Sequence, residues 1–346
     1  METVKVAWTA LAVFLMSSVV VQPAAHAKEV VVYTSEDQVF SEPVLKDFEK
    51  KTGITVKPLY DVESSKTTGM VNRLIAEKDN PKCDVFWNSE FAQTLVLKDK
   101  GVLAPYASPS AADIPKHFKD AEDYWTGYSV RARVLIYNTN LLKKEDLPKS
   151  LFDLTDPRWK GKFAMAYPLF GTTRTHMAAL YVAVGPEKTQ EFLKGLKAND
   201  ALIVDGNSVV RDMVVDGEVP IGLTDTDDAN APIIEGKSVA VLFPDKGGLG
   251  TLMVPNTVAM IKNCPHPEEA KAMIDYLLSR EVESKLAFSE AAQIPVREGV
   301  KKPEQVPDVG SFTVMEADYR KVAENMDEAA KRSEERRVGK ECRSRW

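Results

Sequence analysis

Residues 29–60 read "EVVVYTSEDQVFSEPVLKDFEKKTGITVKPLY". The apolar run at 29–34 is short and β-branched, the pattern of a strand buried on both faces. After it, Val44, Leu45 and Phe48 recur at helical spacing, and Gly53 supplies a helix stop. Residues 54–60 then alternate as a second strand. A strand, a helix and a strand in that order run the two strands parallel, with the helix covering one face.

The rhythm continues outward from this unit. A helix over 67–81 ends at Pro81, residues 83–87 form a strand, and 90–101 form a helix with a terminal glycine. A longer extended segment covers 127–139. The alternation restarts with a strand at 162–168, a small-residue turn opening a helix at 171–185, and a helix at 189–199. A strand at 201–205, a helix at 208–217 and a strand at 219–225 complete it. Residues 252–262 are extended, and a helix begins at Pro267. The expected fold class is α/β: two Rossmann-like lobes joined by hinge strands. Lobe 1 is 28–130 completed by 256–310, and lobe 2 is 131–255 with 311–332. Such an architecture places a ligand cleft at the C-terminal ends of the strands.

The two ends of the chain read differently from the rest. Residues 1–27 carry an early lysine, an apolar run and an Ala25-His26-Ala27 terminus, which reads as a secretory signal peptide, with a buried first helix as the alternative. The mature chain is then exported. Residues 333–346, "SEERRVGKECRSRW", are basic and lack apolar periodicity, and are expected to be a disordered or non-native tail. The net charge of −6 gives no basic face for nucleic acid. The three cysteines include no C-x-x-C pair; Cys83 and Cys264 either bridge or stay as buried thiols.

Residues 30–57, "CDVFWNSE" at 83–90, "WTGYSVRARVLIYNT" at 125–139, "LTDPRWKGKFAMAYP" at 154–168 and "PHPEEAKAMIDYLLS" at 265–279 follow one another in order. Together they closely resemble the ferric-ion-binding subgroup of periplasmic substrate-binding proteins of ABC importers. The resemblance implies the type-2 periplasmic-binding-protein fold, capture of a small solute between hinged lobes, and delivery to a membrane permease by a monomer. It implies ferric iron with a small synergistic anion as cargo. Carried over residue by residue, the glutamate ligand falls on Glu90, the arginine behind the site on Arg131, the anion-holding asparagine on Asn207, and the anion turn on Gly171, Thr172 and Thr173. Two positions depart from the pattern. The histidine position holds Asp37, and the tyrosine pair is replaced by Asp227 and Asp228.

The residues themselves leave two readings of this acidic set. "PIGLTDTDDANA" at 220–231 puts Asp225, Asp227 and Asp228 at the end of a strand, where something positive must compensate them. With Asp37 and Glu90 they make an oxygen-only donor set suited to a hard metal ion, with Asp37, Glu90, Asp227 and Asp228 as the metal ligands. They suit equally the ammonium of a zwitterion such as an aminophosphonate or amino acid. The structural alternative is helix capping or pairing with Arg131 and Arg133. "FGTTRTH" at 170–176 opens a helix with small and hydroxyl residues, an anion site to which Arg174, Asn207 and Ser208 add donors, or else a simple N-cap. His176, Trp87 and Trp125 read as structural. A carboxylate-dependent hydrolase is the remaining class, but no G-x-S-x-G, H-E-x-x-H or Walker loop occurs.

Overall fold

The computed structural model describes residues 28–61 and 67–341, with side chains to 331; the signal-peptide reading of 1–27 lies outside the described residues. Strand β1 (Glu29–Thr34), helix α1 (Gln38–Thr52) and strand β2 (Thr55–Tyr60) form the parallel unit expected from the opening stretch. Helix α1 buries Val44, Leu45 and Phe48 on one face and stops at Gly53, whose φ of 70° lets its N–H reach the Glu49 carbonyl. Helix α2 (Thr68–Ala76), strand β3 (Val85–Asn88), helix α3 (Ala92–Asp99) and the short β4 (Leu103–Ala104) complete the first run of elements.

Strand β5 (Thr126–Asn138) follows, and each of its 13 residues is buried. The second lobe contains β6 (Phe163–Ala166), α4 (Gly171–Val184), α5 (Pro186–Ala198), β7 (Leu202–Val204), α6 (Asn207–Val215), β8 (Ile221–Asp225), α7 (Thr226–Ile234) and β9 (Val239–Leu242). Strand β10 (Met253–Ile261) returns to the first lobe, where α8 (Pro267–Leu277), α9 (Arg280–Phe288) and β11 (Ile294–Pro295) pack. The final helix, α10 (Tyr319–Glu341), packs on α4 and on α3.

The strand order β2-β1-β3-β10-β5-β8-β6-β7 places β5 and β10 at the centre. The first half of β5 pairs antiparallel with β10, from Val258↔Thr126 to Met253↔Ala132. Its second half pairs with β8, Arg133↔Asp225 to Tyr137↔Ile221. One continuous strand thus serves both lobes. A register shift between Asn256 and Thr257 breaks the β10–β5 ladder beside this crossing.

One reading of the sequence meets a different outcome, and one open alternative is decided. The helix α10 runs on to Glu341, so residues 333–341, set aside as a disordered tail, are helical. A helix needs no apolar period of its own once its earlier turns are docked, here through Val322, Met326 and Ala329. Cys83 and Cys264 are both buried and unbridged; the Cys83 thiol donates to the Val85 carbonyl at 3.1 Å.

Candidate functional site

Strands β6, β7 and β8 end side by side, and α4, α6 and α7 begin there. None of the three helix starts is capped by its N-cap side chain. Their first N–H groups therefore remain as donors, at the positive ends of the helix dipoles. Gly171 opens α4 with a φ of 51°, a left-handed conformation that glycine adopts without strain and that turns the chain sharply out of the strand. The starts of α4 and α6, with Tyr167, Asp205, Asp225 and Asp228, line a cavity that reaches Arg131 and, in the first lobe, Ser89 and Thr67. It leaves ≈ 30 Å³ for the centres of water-sized atoms. One water needs roughly 10–15 Å³ by that measure, so the space takes about two or three water-sized atoms.

The aspartates of 225–228 divide into two roles. Asp225 is fully buried, and the Arg133 Nη1 donates to its Oδ1 at 2.6 Å while Arg131 Nη1 donates to Oδ2 at 3.1 Å. Thr172 Oγ1 and Asn207 Nδ2 donate to the same Oδ2 at 2.6 and 2.9 Å. Burial alone would raise this carboxyl, but the Arg133 and Arg131 guanidiniums hold it below its ordinary value. The positive groups demanded by the acidic stretch are thus, in large part, the protein's own. Asp227 receives Arg131 Nη1 on Oδ2 at 2.9 Å, while its buried Oδ1 has no hydrogen-bond partner among the described residues. Burial pushes its pKa up, with Asp225 and Asp37 adding to the rise against Arg131. Asp228 is half-buried in the cavity wall, 3.9 Å from Arg211. One carboxylate oxygen from each of Asp225, Asp227 and Asp228 lies within 4.8 Å of the others.

The other expected ligands are spread more widely. Glu90 is buried and caps α3, accepting from Ala92 N and Gln93 N at 2.7 Å each; Thr175 Oγ1 of α4 also donates to it, at 3.1 Å. With its oxygens so engaged, Glu90 stands outside the cavity wall and ties the two lobes together. Asp37 is the N-cap residue of α1, half-buried, and acts on Asp227 through space. Arg174 is drawn to α10, with Nη2 2.6 Å from Asp327. Thr173 Oγ1 accepts from Arg133 at 3.1 Å, and Asn207 Oδ1 accepts from Arg133 at 3.2 Å, so both bring their side chains to the arginine and leave their main-chain N–H toward the cavity end of the helix. Ser208 follows on α6, half-buried and outside the cavity wall. His176 is buried with its Nδ1 3.5 Å from Arg133 Nε; burial and that charge lower its pKa to about 3. Trp87 and Trp125 are both core residues.

Tyr167 and Glu36 were missed from sequence. Tyr167 follows β6 by one residue, a strand-end position that could have flagged it. Glu36 sits one residue before Asp37, and its burial is visible only in three dimensions. It is 3% exposed, and desolvation raises its pKa to about 7 against the opposing Arg131 charge. Its ordinary value is 4.5, so between pH 4.5 and 7 the folded state keeps a proton that the unfolded chain has released. Folding stability from this group is therefore greatest at low pH and is lost as pH rises through 7. Relative to Glu36→Gln, the wild type should lose on the order of 3 kcal/mol between pH 5 and 8, read by urea unfolding at both pH values. A gap between the two proteins that does not change with pH contradicts this.

The fold and the site define a two-lobed binding protein with its ligand space at the strand ends. Residues 80–322 match the family model for bacterial extracellular solute-binding proteins, and the chain belongs to that family. It is 28% identical over 297 residues to iron uptake protein A1 of Synechocystis sp., covering 82% of this chain and 80% of that protein. The iron-bound HitA structure from Pseudomonas aeruginosa superposes with a TM-score of 0.81 at 25% identity, covering 89% of this chain and 99% of that one. The open form of the Mannheimia haemolytica ferric iron-binding protein A gives 0.71 at 26% identity, covering 89% and 98%. The family is one of binding proteins, and no helix among the described residues is long and apolar enough to cross a membrane.

Proposed function

We propose that this chain is the extracytoplasmic receptor of an ABC importer, exported by the segment 1–27, and that it captures ferric iron together with a small oxyanion for delivery to a permease as a monomer. The observation that carries this reading is the cavity itself. Its lining combines the Asp228 carboxylate with the uncapped starts of α4 and α6. A hard cation suits the oxygen donors on one side, and main-chain N–H groups suit an anion on the other. The names of the iron uptake protein and of the iron-bound structural neighbour support iron over the zwitterion.

Of the aspartates on the cavity wall, Asp225 is held by two arginines, and Asp205 and Asp228 supply the carboxylates for the metal. The remaining coordination falls to the anion, which makes the anion obligatory. Iron uptake should therefore be strong with phosphate or carbonate present and fall at least 30-fold without either, a loss of the size expected for a desolvated charge left unpaired. Titration of ferric nitrilotriacetate into protein with and without each anion reads this. Equal affinity in both buffers sinks the reading; uptake of an amino acid or aminophosphonate with no metal supports the zwitterion instead.

Closure is part of the proposal. The crossing strands β5 and β10 supply the hinge, and the register shift at Asn256 gives a local weak point in the ladder. The Thr175–Glu90 bond and the Arg131 bond to the Ser89 carbonyl join the lobes, which fits a closed state.

A further inference from the structure

Arg131 is the hub of the site, and its position is set from the far side of the hinge. Its Nε donates to Asn256 Oδ1 at 3.1 Å. Asn256 Nδ2 donates to Ser129 Oγ at 3.0 Å, and Ser129 Oγ donates to Gln293 Oε1 at 2.5 Å. Gln293 Nε2 donates to Glu36 Oε2 at 3.1 Å, while Tyr128 Oη donates to Glu36 Oε1 at 2.9 Å. Glu36, Gln293, Ser129, Asn256 and Arg131 are all buried, so no water competes for these bonds.

The chain has a direction, and the direction has a cause. Both carboxyl oxygens of Glu36 accept, one from Gln293 and one from Tyr128. Glu36 therefore turns the Gln293 amide nitrogen toward itself and the Gln293 oxygen toward Ser129. The Ser129 hydroxyl proton is spent on that oxygen, so Ser129 accepts from the Asn256 nitrogen. Asn256 is left with its oxygen toward Arg131, the only polarity that a guanidinium tolerates. We propose that Glu36, with Gln293 as the relay, is a positioning residue for ligand capture: it fixes Arg131 between Asp225 and Asp227 and so sets how much negative charge the cleft shows its ligand. This rests on the reading of the cleft as the cargo site.

The test titrates ferric nitrilotriacetate with excess phosphate into wild type, Glu36→Gln, Gln293→Met and the double variant, with thermal unfolding recorded beside each. A glutamine at 36 replaces one of the two acceptor oxygens that Gln293 and Tyr128 donate to by an amide group that must itself donate, so the end of the chain loosens; a methionine at 293 cuts it. Each single variant should unfold within a few degrees of wild type yet bind about 10-fold more weakly. The double variant should bind no more weakly than either, because both interrupt one chain. Wild-type affinity in Gln293→Met, or losses that add in the double variant, overturns the proposal. Should Glu36→Gln not fold, Gln293→Met decides alone. Should wild type itself take up no ferric phosphate, the cargo reading falls. The positioning is then read from the crystal structure of Gln293→Met: Arg131 moved off Asp225 and Asp227 supports it, and Arg131 unmoved overturns it.

Discussion

Replacing Asp225 by alanine is expected to cost the fold about 3–5 kcal/mol, the range for removing one partner of a buried ion pair. Asp225 is fully buried between the Arg131 and Arg133 guanidiniums, and Arg133 is fully buried too. The alanine leaves two cations facing each other across a dry space, with Thr172 and Asn207 robbed of their shared acceptor. Total domain stability is typically about 5–15 kcal/mol, so this one change removes a large part of it. Urea unfolding of Asp225→Ala measures the loss. A variant replacing the Arg133 pair by apolar residues, Asp225→Leu with Arg133→Met, should lose less than the single change, because Arg133 is no longer stranded and Arg131 keeps Asp227 as its partner. A single-variant loss under 1 kcal/mol would mean that the arginines find other partners and that the triad is not the structural centre of the cleft.

The second large effect concerns the cargo. Asp228→Asn keeps shape and hydrogen-bonding capacity but removes one of the carboxylate charges that line the cavity. Affinity for iron with phosphate should fall roughly 30-fold or more. Asp37→Asn, at the start of α1 and outside the cavity wall, should change it by less than Asp228→Asn does. Calorimetry on the two variants ranks them. The reverse order would return Asp37 to the ligand set and take Asp228 out of it.

Much of the architecture was legible because it is written in local patterns. The apolar run 29–34, the helical spacing of Val44 and Phe48 and the stop at Gly53 each depend on near neighbours in sequence. The turn into α4 was legible for the same reason: a positive-φ glycine followed by two threonines opens the helix. The acidic stretch was correctly placed at a strand end, but its partners were not fixed by sequence. Arg131 and Arg133 lie more than 90 positions before Asp225, and only the antiparallel register of β5 on β8 brings Arg133 opposite it. Glu90 carried a readable sign of its capping role, an acidic side chain two and three residues ahead of the first free N–H groups of a helix. Glu36, Gln293 and Asn256 carried none, since each is polar, isolated in sequence and meaningful only through the bonds that join them across the hinge.

The central claim is that a ferric ion and a small oxyanion share the cavity between Asp228 and the starts of α4 and α6. Crystals of the protein loaded with iron and phosphate, measured on both sides of the iron absorption edge, test it most directly. The expected result is one anomalous peak per chain within coordination distance of Asp228, with tetrahedral density on the N–H groups of Gly171–Thr173 and Asn207. An anomalous peak elsewhere, or a cavity holding an organic zwitterion with its ammonium on Asp228 and no metal, would contradict the account.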